Sequence, residues 1–481
     1  MSGRPAGGAP VGDGQTVSLR AFLQLFTALL LPMFLAAVDQ TLLATSTPAI
    51  AADLGGLRDT TWIALGYLLA VTITVPTYGR LGDRYGRRDL LLVALGVFAA
   101  GSIACALSQS MLQLVLARVL QGLGGGGLMV MAQALIGELV PPRERPRFQA
   151  YFASVFTLSS VGGPVLGGLI VSEFGWRWLF AANLPLVAFA AWRVALLPRG
   201  LRYPDSGGVD DRTGMVLFAF AAAGGLLWLT FGGHRFSWLS GTSAALAGAS
   251  GLLCLWLYRR ERRLARPFLP MEILRIRGVL DMAVTIACFA SCLFATIFFL
   301  PIYLQLGHGS TVNESGLLLL PLTLGLVAGS TITGRIVYHT RRPSATPPIG
   351  LGIAAVSLGL LGVTPPDPWL ISALGLACGL GLGGIMPSAQ VIIQQLSGRE
   401  KLGAGAATLG LARVIGASLG TAGFGAISFA LLQGTDIDAM LHGAGGDREK
   451  LVEGFHIGFL AISALALAGA VHARRLPDVR L

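Results

Sequence analysis

The chain of 481 residues is 54% hydrophobic and only 12% charged, and it contains 66 glycines. Its mean hydropathy of +0.70 lies outside the range of water-soluble domains of this length. The composition therefore excludes a soluble globular protein and predicts an integral membrane protein. Because the formal net charge of +11 is concentrated in short loops, it does not indicate a nucleic-acid partner.

Apolar runs of about 20 residues, long enough to cross a hydrocarbon core of about 30 Å as helices, recur along the whole chain. They do not alternate in polarity as barrel strands do, so the predicted fold is all-α. On a hydropathy reading there are about fourteen of them. They lie near residues 21–43, 59–78, 89–107, 111–131, 148–170, 177–197, 213–232, 239–258, 279–303, 314–337, 347–364, 369–391, 404–431 and 454–474.

Cationic residues are concentrated in every second connection and at the C-terminal end, whereas the alternate connections hold few of them. Because positively charged short loops stay in the cytoplasm, this pattern predicts an even number of helices with both termini cytoplasmic. The five cysteines lie in predicted spans without metal-ligand spacing, so neither a disulfide framework nor a metal site is expected. The basic connections cover residues 80–88, 143–147, 193–212, 259–277, 335–342 and 399–401.

The basic segments divide the runs into groups of six, two and six, a layout found in secondary transporters built from two related halves. The stretch GRLGDRYGRR (79–88) has a degenerate counterpart, GRIVYHTRR (334–342), although arginines also cluster in cytoplasmic loops for topological reasons alone. The predicted domains are an N-terminal tail (1–20), a six-helix bundle (21–198), a basic linker with two additional transmembrane helices (199–270), a second six-helix bundle (271–475) and a C-terminal tail (476–481).

GRLGDRYGRR resembles the signature loop between the second and third helices of the major facilitator superfamily. WRWLFAANLP (176–185) and DRTG (211–214) resemble the boundaries of the extra helix pair in its fourteen-helix branch. These resemblances imply the major facilitator fold, with two six-helix bundles and two extra transmembrane helices between them. Three further stretches resemble motifs of its drug:proton antiporters: LAAVDQTLLATSTPAIAADL (35–54), RVLQGLGGGG (118–127) and GGPVLGG (162–168).

The signature loop is predicted to form a cytoplasmic gate. Its glycines allow a tight turn and a close approach of neighbouring helices. Asp83 is expected to pair with an arginine and with the positive end of a helix from the other half, which the resemblance places near residues 403–405. A solvated loop that only sets topology is the alternative. The predicted gate residues are Gly79, Asp83, Arg84, Gly86, Arg87 and Arg88.

Asp39 is predicted to couple transport to protons. It lies inside the apolar first run, where an ionisable group costs about 2.5–3.5 kcal/mol on insertion scales. Arg118 enters the fourth run at comparable depth. Because burial favours a neutral carboxyl and an adjacent arginine favours the charged one, the pair is suited to exchange protons as the halves rock, unless it is a static ion pair. Asp281 and Glu138, near cytoplasmic helix ends, are secondary candidates.

The stretch GGPVLGG puts small residues on adjacent helical turns, which permits close helix approach, and its proline bends the helix. The resemblance associates it with antiport and therefore with export, while ordinary close packing is the alternative. Its residues are Gly162, Gly163, Pro164, Gly167 and Gly168. Candidates for the substrate cavity are Gln40, Trp62, Tyr67, Gln121, Phe152, Phe156, Phe289, Phe294, Gln394 and Arg413.

Arg413 lies inside the thirteenth run with no acid nearby in the sequence. It is expected to meet an anionic ligand or an acid on another helix, or else to extend its charged end toward the interface. Export of lipophilic cations calls for several embedded acids, and Asp39 stands almost alone in the interior of the runs. Neutral, monocationic and weakly anionic amphiphiles therefore remain open as substrates.

The resemblance implies a proton-coupled exporter of hydrophobic or amphiphilic small molecules, a multidrug antiporter of the cell's inner membrane associated with antibiotic resistance. The implied partners are substrate, protons and lipid, with the protein a monomer, joined by a periplasmic adaptor where the cell has an outer membrane. No P-loop occurs, so ATP is not expected to drive transport directly. The proton gradient is the expected energy source, and no cofactor or metal is expected. The alternatives are an exporter of one amphiphile, such as a lipid, siderophore or phenolic metabolite, and, more distantly, an intramembrane enzyme.

Overall fold

In a computed structural model of the chain, all the secondary-structure elements named below are helices. The predicted N-terminal tail lies almost entirely outside the residues that the structure describes. Those residues are 19–54, 61–142, 144–198, 211–232, 236–237, 239–264, 268–269, 271–310, 312–365, 367–428 and 448–480.

Long helices make up the first half of the chain. They are α1 (Leu19–Leu54), α2 (Thr61–Tyr85), α3 (Arg87–Ala106), α4 (Met111–Leu139), α5 (Arg145–Phe174), α6 (Arg177–Ala181) and α7 (Asn183–Ala195). Two helices, α8 (Arg212–Phe231) and α9 (Gly241–Glu261), follow as an antiparallel hairpin.

The second half repeats the pattern of long helices. It comprises the short α10 (Met271–Leu274), then α11 (Arg277–Ile302), α12 (Val312–Thr340), α13 (Thr346–Leu361), α14 (Pro368–Gly383), α15 (Ile385–Ser397), α16 (Leu402–Ser428) and α17 (Arg448–Ala473). A π-helical turn, Tyr303–His308, extends α11, and short 3₁₀ turns precede α13 and α16.

Twelve spans within the described residues are long and apolar enough to cross a membrane. Two of them are composite, because α6 continues into α7 (Arg177–Ala195) and α14 continues into α15 (Pro368–Ser397). The remaining two of the fourteen predicted runs correspond to α1 and α5, which are helices of 36 and 30 residues. Membrane-spanning helices, with backbone groups satisfied inside each segment, thus account for the apolar composition.

Each half packs around its own apolar core. The first core contains Phe98 and Phe148, and the second contains Phe289, Phe424 and Phe459. The halves meet where α2 packs against α16 and α5 packs against α12. The hairpin α8–α9 lies at the side of this junction, because α8 contacts both α2 and α16.

The α8–α9 hairpin is clasped at the end that carries its charged residues. Asp211 caps α8 by accepting a hydrogen bond from the Gly214 amide at 2.8 Å, and it pairs with Arg260 at 2.5 Å. Burial raises the pKa of Asp211, but the hydrogen bonds from Arg260 and Gly214 outweigh burial and hold the pKa below its ordinary value. Arg80 donates to the carbonyl of the buried Phe268 at 3.1 Å, which ties the segment after the hairpin to α2.

Candidate functional site

A buried ion pair joins α1 to α4. Arg118 Nη1 lies 2.5 Å from Asp39 Oδ2. The two residues are 1% and 3% exposed, respectively. An ion pair this deep is held in low dielectric, where removing one partner leaves an uncompensated charge. The predicted association of the two residues is therefore present in the structure.

Two amide side chains complete the coordination of the aspartate. Gln121 Nε2 donates to Asp39 Oδ1 at 2.8 Å, and Asn183 Nδ2 donates to the same oxygen at 3.2 Å. Gln121 stands one turn from Arg118 on α4, so its Oε1 also accepts a hydrogen bond from the guanidinium at 2.5 Å. Both oxygens of this buried carboxylate therefore have hydrogen-bond donors, without which its burial would be costly.

Aromatic rings close this cluster. The guanidinium carbon of Arg118 lies 4.3 Å from the centroid of the Tyr67 ring and 5.8 Å from that of Phe180. Both rings are buried, and a cation over an aromatic face is stabilised by the quadrupole of the ring. Arg118 thus lies in a buried cluster, between the Asp39 carboxylate and two aromatic rings.

Gly86 separates α2 from α3 and creates the turn of the signature loop. Its φ of 102° lies in a region that residues with a Cβ rarely adopt. The preceding helix therefore ends at Tyr85 and the next begins at Arg87. This places Asp83 on the last turn of α2, facing the second half of the chain.

Asp83 accepts hydrogen bonds from the first backbone amides of α16. Its carboxylate oxygens lie 3.0 Å from the amide of Gly403 and 3.1 Å from that of Ala404. These amides form the positive end of the helix, which favours an anion. The approach requires glycine, because a Cβ on Gly79 would lie 2.7 Å from the carbonyl oxygen of Gly403. The contact near residues 403–405 that the resemblance implied is present.

Arg87 organises this contact from the N-terminal half. Its Nη2 lies 2.8 Å from Asp83 Oδ1, and its Nη1 lies 2.6 Å from Glu138 Oε2 at the end of α4. Arg87 is 1% exposed. One guanidinium therefore fixes the ends of α2, α3 and α4 together, and Glu138, considered above only as a secondary proton site, is a partner within the gate region.

The neighbouring arginines bind elsewhere. Arg88 donates to the carbonyls of Val194 at 3.2 Å and Ala195 at 2.5 Å, which caps the C-terminal end of α7. The Arg84 guanidinium lies 5.4 Å from the centroid of the Tyr85 ring. Of the predicted gate residues, Gly79 and Asp83 contact α16 directly, and Arg87 holds Asp83 in place.

Glutamines form a second contact between the halves. Gln394 of α15 donates to the backbone carbonyl of Gln133 on α4 at 3.0 Å. The side-chain oxygen of Gln133 accepts a hydrogen bond from Gln149 of α5 at 2.9 Å. All three glutamines are buried. Gln394, predicted to line the cavity, thus belongs to the closed contact between the halves in this conformation.

The predicted cavity residues do not share one site. Tyr67 and Gln121 belong to the Asp39 cluster, and the Trp62 ring packs 5.2 Å from the Phe231 ring of α8. Phe289 lies in the core of the second half, with Phe294 packed against that core, and Phe152 packs against the core of the first half. The side chains of Gln40 and Phe156 lie outside the described residues.

The small residues of α5 are described in part. Gly163 and Gly167 are buried, whereas a Cβ on Gly168 would meet no atom within 4 Å. The surroundings of Gly162 and Pro164 lie outside the described residues. Burial at Gly163 and Gly167 agrees with close packing of α5, and the association of the stretch with antiport stays a prediction.

Sequence reasoning did not single out Asn183 or Ser102 as site residues. Ser102 accepts a hydrogen bond from Gln121 Nε2 at 2.9 Å, and so supports the amide that holds Asp39. Both are polar side chains inside apolar runs, and burial without a partner would be costly for them. That polarity was an available signal, but only the packing of α3 and α7 on α4 and α1 shows which group they meet.

The chain belongs to the Major Facilitator Superfamily, whose family model matches residues 29–421. It is 35% identical to an uncharacterized MFS-type transporter of Mycobacterium tuberculosis over 84% of this chain, and it spans 59% of that relative's length. It is 32% identical to the multidrug transporter protein MdtP of Bacillus subtilis, over 84% of this chain and 74% of that protein.

A solved structure agrees in fold. The proton:xylose symporter XylE superposes with a TM-score of 0.64 over 95% of this chain and 96% of that chain, at 13% identity. The family resemblance predicted from the motifs is therefore confirmed, and the chain is a multi-pass membrane protein of a transporter family. The similarity to XylE concerns the fold alone.

Proposed function

We propose that the chain is a proton-coupled exporter of hydrophobic or amphiphilic small molecules, a multidrug:proton antiporter. The observation that carries the proposal is the buried Asp39, held by Arg118 and by two amide side chains. An ionisable group at membrane depth with a dedicated set of partners is typical of proton relays. The names of relatives, a multidrug transporter protein of Bacillus subtilis and the efflux pump dotC of Dothistroma septosporum, agree with export.

Asp39 takes a proton from the extracellular side and gives it up to the cytoplasm. Protonation neutralises the carboxylate, so its attraction to Arg118 falls and one oxygen becomes a donor in place of an acceptor. The hydrogen bonds from Gln121 and Asn183 must then rearrange. We propose that this rearrangement of α1 against α4 favours the conformation that returns the proton to the cytoplasm, where deprotonation restores the ion pair.

The gate controls the cytoplasmic side. Asp83 and the first amides of α16 hold the halves together there, and the bond between Gln394 and Gln133 adds a second layer. Opening toward the cytoplasm separates both contacts while Arg87 keeps α2, α3 and α4 as one body. Substrate enters in that open state and leaves after the gate closes, which is alternating access between two related halves.

We further propose that the chain crosses the membrane fourteen times, with both termini in the cytoplasm. Support comes from the lengths of α1 and α5, 36 and 30 residues, in addition to the twelve apolar spans, and from the alternation of basic loops. The domains are proposed as residues 21–198 and 271–475, each a six-helix bundle, separated by the linker and hairpin of residues 199–270.

The proposed setting is the inner (cytoplasmic) membrane. There the protein works as a monomer, exports toxic amphiphiles and so contributes to antibiotic resistance. Where the cell has an outer membrane, a periplasmic adaptor extends the route. The motif residues Gly162, Gly163, Pro164, Gly167 and Gly168 are proposed to favour exchange over import, as the resemblance implies.

The test is transport in proteoliposomes with an imposed pH gradient. Three fluorescent probes cover the substrate classes: ethidium as a cation, N-phenyl-1-naphthylamine as a neutral molecule and 8-anilino-1-naphthalenesulfonate as an anion. We expect gradient-driven flux of at least one probe, its loss in Asp39→Asn, and normal flux in Asp89→Asn, which changes a more exposed carboxylate. Gradient-driven flux that persists in Asp39→Asn contradicts the coupling role, and absence of flux with all three probes contradicts the proposed function.

A further inference from the structure

Arg413 stands apart from the other buried arginines because of what surrounds it. It lies inside α16 and is partly buried. Its Nη2 lies 3.3 Å from the thioether sulfur of Met129 on α4, across the junction between the halves. A thioether is a weak, uncharged acceptor. Among the described residues no carboxylate lies within ion-pairing distance of Arg413, so its positive charge is not compensated by the protein there.

Three acidic residues of the first half of the chain are already paired with arginines. Asp39 is paired with Arg118, and Asp83 and Glu138 are both paired with Arg87. A cationic ligand entering this region would have to compete with an arginine for each of these carboxylates. An anionic ligand would find a guanidinium whose partner is only a thioether. The balance of partners therefore favours anions.

The depth of Arg413 follows from two helices independently. Along α16, ten residues from Gly403 to Arg413 correspond to about 15 Å at about 1.5 Å per residue. Along α4, nine residues from Glu138 to Met129 correspond to about 13 Å, and eleven more from Met129 to Arg118 to about 16 Å. Arg413 thus lies about midway between the gate and the proton site, near the depth at which transporters of this architecture bind their substrates.

We propose that Arg413 binds the anionic group of the substrate, and that amphiphiles carrying one oxyanion, such as a carboxylate, a sulfonate or a phenolate, are transported in preference to matched cationic ones. This inference rests on the proposed export function. The planar guanidinium donates two parallel hydrogen bonds to such a group. The flexible side chain of Met129 moves aside and packs against the apolar body of the ligand.

Two probes that differ by a single group test the proposal. N-Phenyl-1-naphthylamine and 8-anilino-1-naphthalenesulfonate share the same ring system, and only the second carries a sulfonate. In proteoliposomes with a pH gradient, we expect Arg413→Gln to slow export of the sulfonate at least tenfold and to leave export of the amine within twofold. Arg413→Lys keeps the positive charge but lacks the planar guanidinium. Its sulfonate flux is therefore expected to lie between the fluxes of the native protein and of Arg413→Gln. Arg475→Gln, which removes an exposed cation, serves as the control.

A competition experiment on the native protein gives a second measurement that does not depend on the folding of a variant. We expect 1-naphthalenesulfonate to inhibit export of the neutral amine, and the matched cation 1-naphthylmethylammonium not to inhibit it. Stronger inhibition by the cation overturns the inference.

The remaining outcomes separate the inference from the function on which it rests. If the native protein exports the amine but not the sulfonate, Arg413 does not select anions, while the export function stands. If Arg413→Gln slows both probes equally, the residue serves the structure or the cycle and not recognition, and the inference is wrong. If the native protein exports none of the probes, including ethidium, the export function itself is contradicted.

Discussion

The carboxylate of Asp83 and the backbone amide of Gly403 lie 3.0 Å apart although 320 positions separate them in the chain. This single contact joins the last turn of α2 to the first turn of α16, and so joins the two halves. It combines a charge-assisted hydrogen bond with the positive end of a helix. Because the donors are backbone amides, no truncation of a side chain on α16 removes them, and Asp83 is the residue to change.

Asp83→Asn is expected to weaken the cytoplasmic closure. Hydrogen bonds to a charged group contribute about 1.5–3 kcal/mol, so the neutral amide should shift the equilibrium toward the open gate by about tenfold or more. The measurement is the distance distribution between spin labels at Tyr85, which is 49% exposed, and the exposed Glu400. Asp89→Asn on the first turn of α3 is the control, and an unchanged distribution in Asp83→Asn contradicts the gate.

Gly79→Ala is also expected to weaken the cytoplasmic closure, in this case by a steric clash. The added Cβ would lie 2.7 Å from the carbonyl oxygen of Gly403 and 3.0 Å from the Cβ of Ala407, so α2 and α16 must separate. Gly96→Ala adds the same methyl group to α3 at a position with no atom within 4 Å. We expect a wider label distance only for Gly79→Ala, and equal behaviour of the two variants would show that close approach at Gly79 is unimportant.

Arg87→Ala is expected to destabilise the protein more than any surface arginine. Its guanidinium compensates two carboxylates, and breaking a buried pair by removing one partner costs about 3–5 kcal/mol. Arg475→Ala removes an exposed cation, where changes usually stay within about 0.5 kcal/mol. Thermal unfolding of both variants in the same detergent provides the comparison. A loss in Arg87→Ala no larger than in Arg475→Ala would mean that the buried pairs contribute little.

Asn183→Leu is expected to lower gradient-driven flux. The amide donates to the Asp39 carboxylate at 3.2 Å, and leucine leaves that buried carboxylate with one donor fewer. A hydrogen bond to a charged group contributes about 1.5–3 kcal/mol, so the flux should fall by about tenfold. The measurement is flux in proteoliposomes with an imposed pH gradient. Thr72→Val removes a buried hydroxyl bonded within α2, and it should leave the flux unchanged.

The sequence predicts most of the fold because each membrane helix can be recognised from its own stretch of sequence. A run of about 20 apolar residues reports a span without reference to the rest of the chain, and the runs near residues 89–107 and 213–232 match α3 and α8 closely. Charge in the loops and glycine in the signature loop are equally local signals. The division into two bundles is a prediction from loop charge and remains one.

The site is less predictable, since its partners come from distant helices. Asp39 and Arg118 are conspicuous as charges in apolar runs, so both were identified from the sequence. Nothing in the sequence distinguishes Asn183 from other amide residues. Its contact with Asp39 depends on the packing of α7 beside α1. Likewise Glu138 is a helix-end acid in the sequence, and only the arrangement of α3 and α4 makes it a partner of Arg87.

The bond between Arg80 and the carbonyl of Phe268 links the segment after the additional helix pair to the helix of the proposed gate. Arg80 belongs to α2, the helix that carries Asp83. Phe268 lies beyond Glu261, the last residue of the hairpin, whose carboxylate accepts a hydrogen bond from the Leu269 amide at 2.8 Å. A displacement of α2 during the cycle must therefore stretch, break or carry along the end of the hairpin. If the proposed fourteen-helix topology and gate hold, excising α8 and α9 would not be neutral, because it would remove a tether on the gate as well as two membrane crossings.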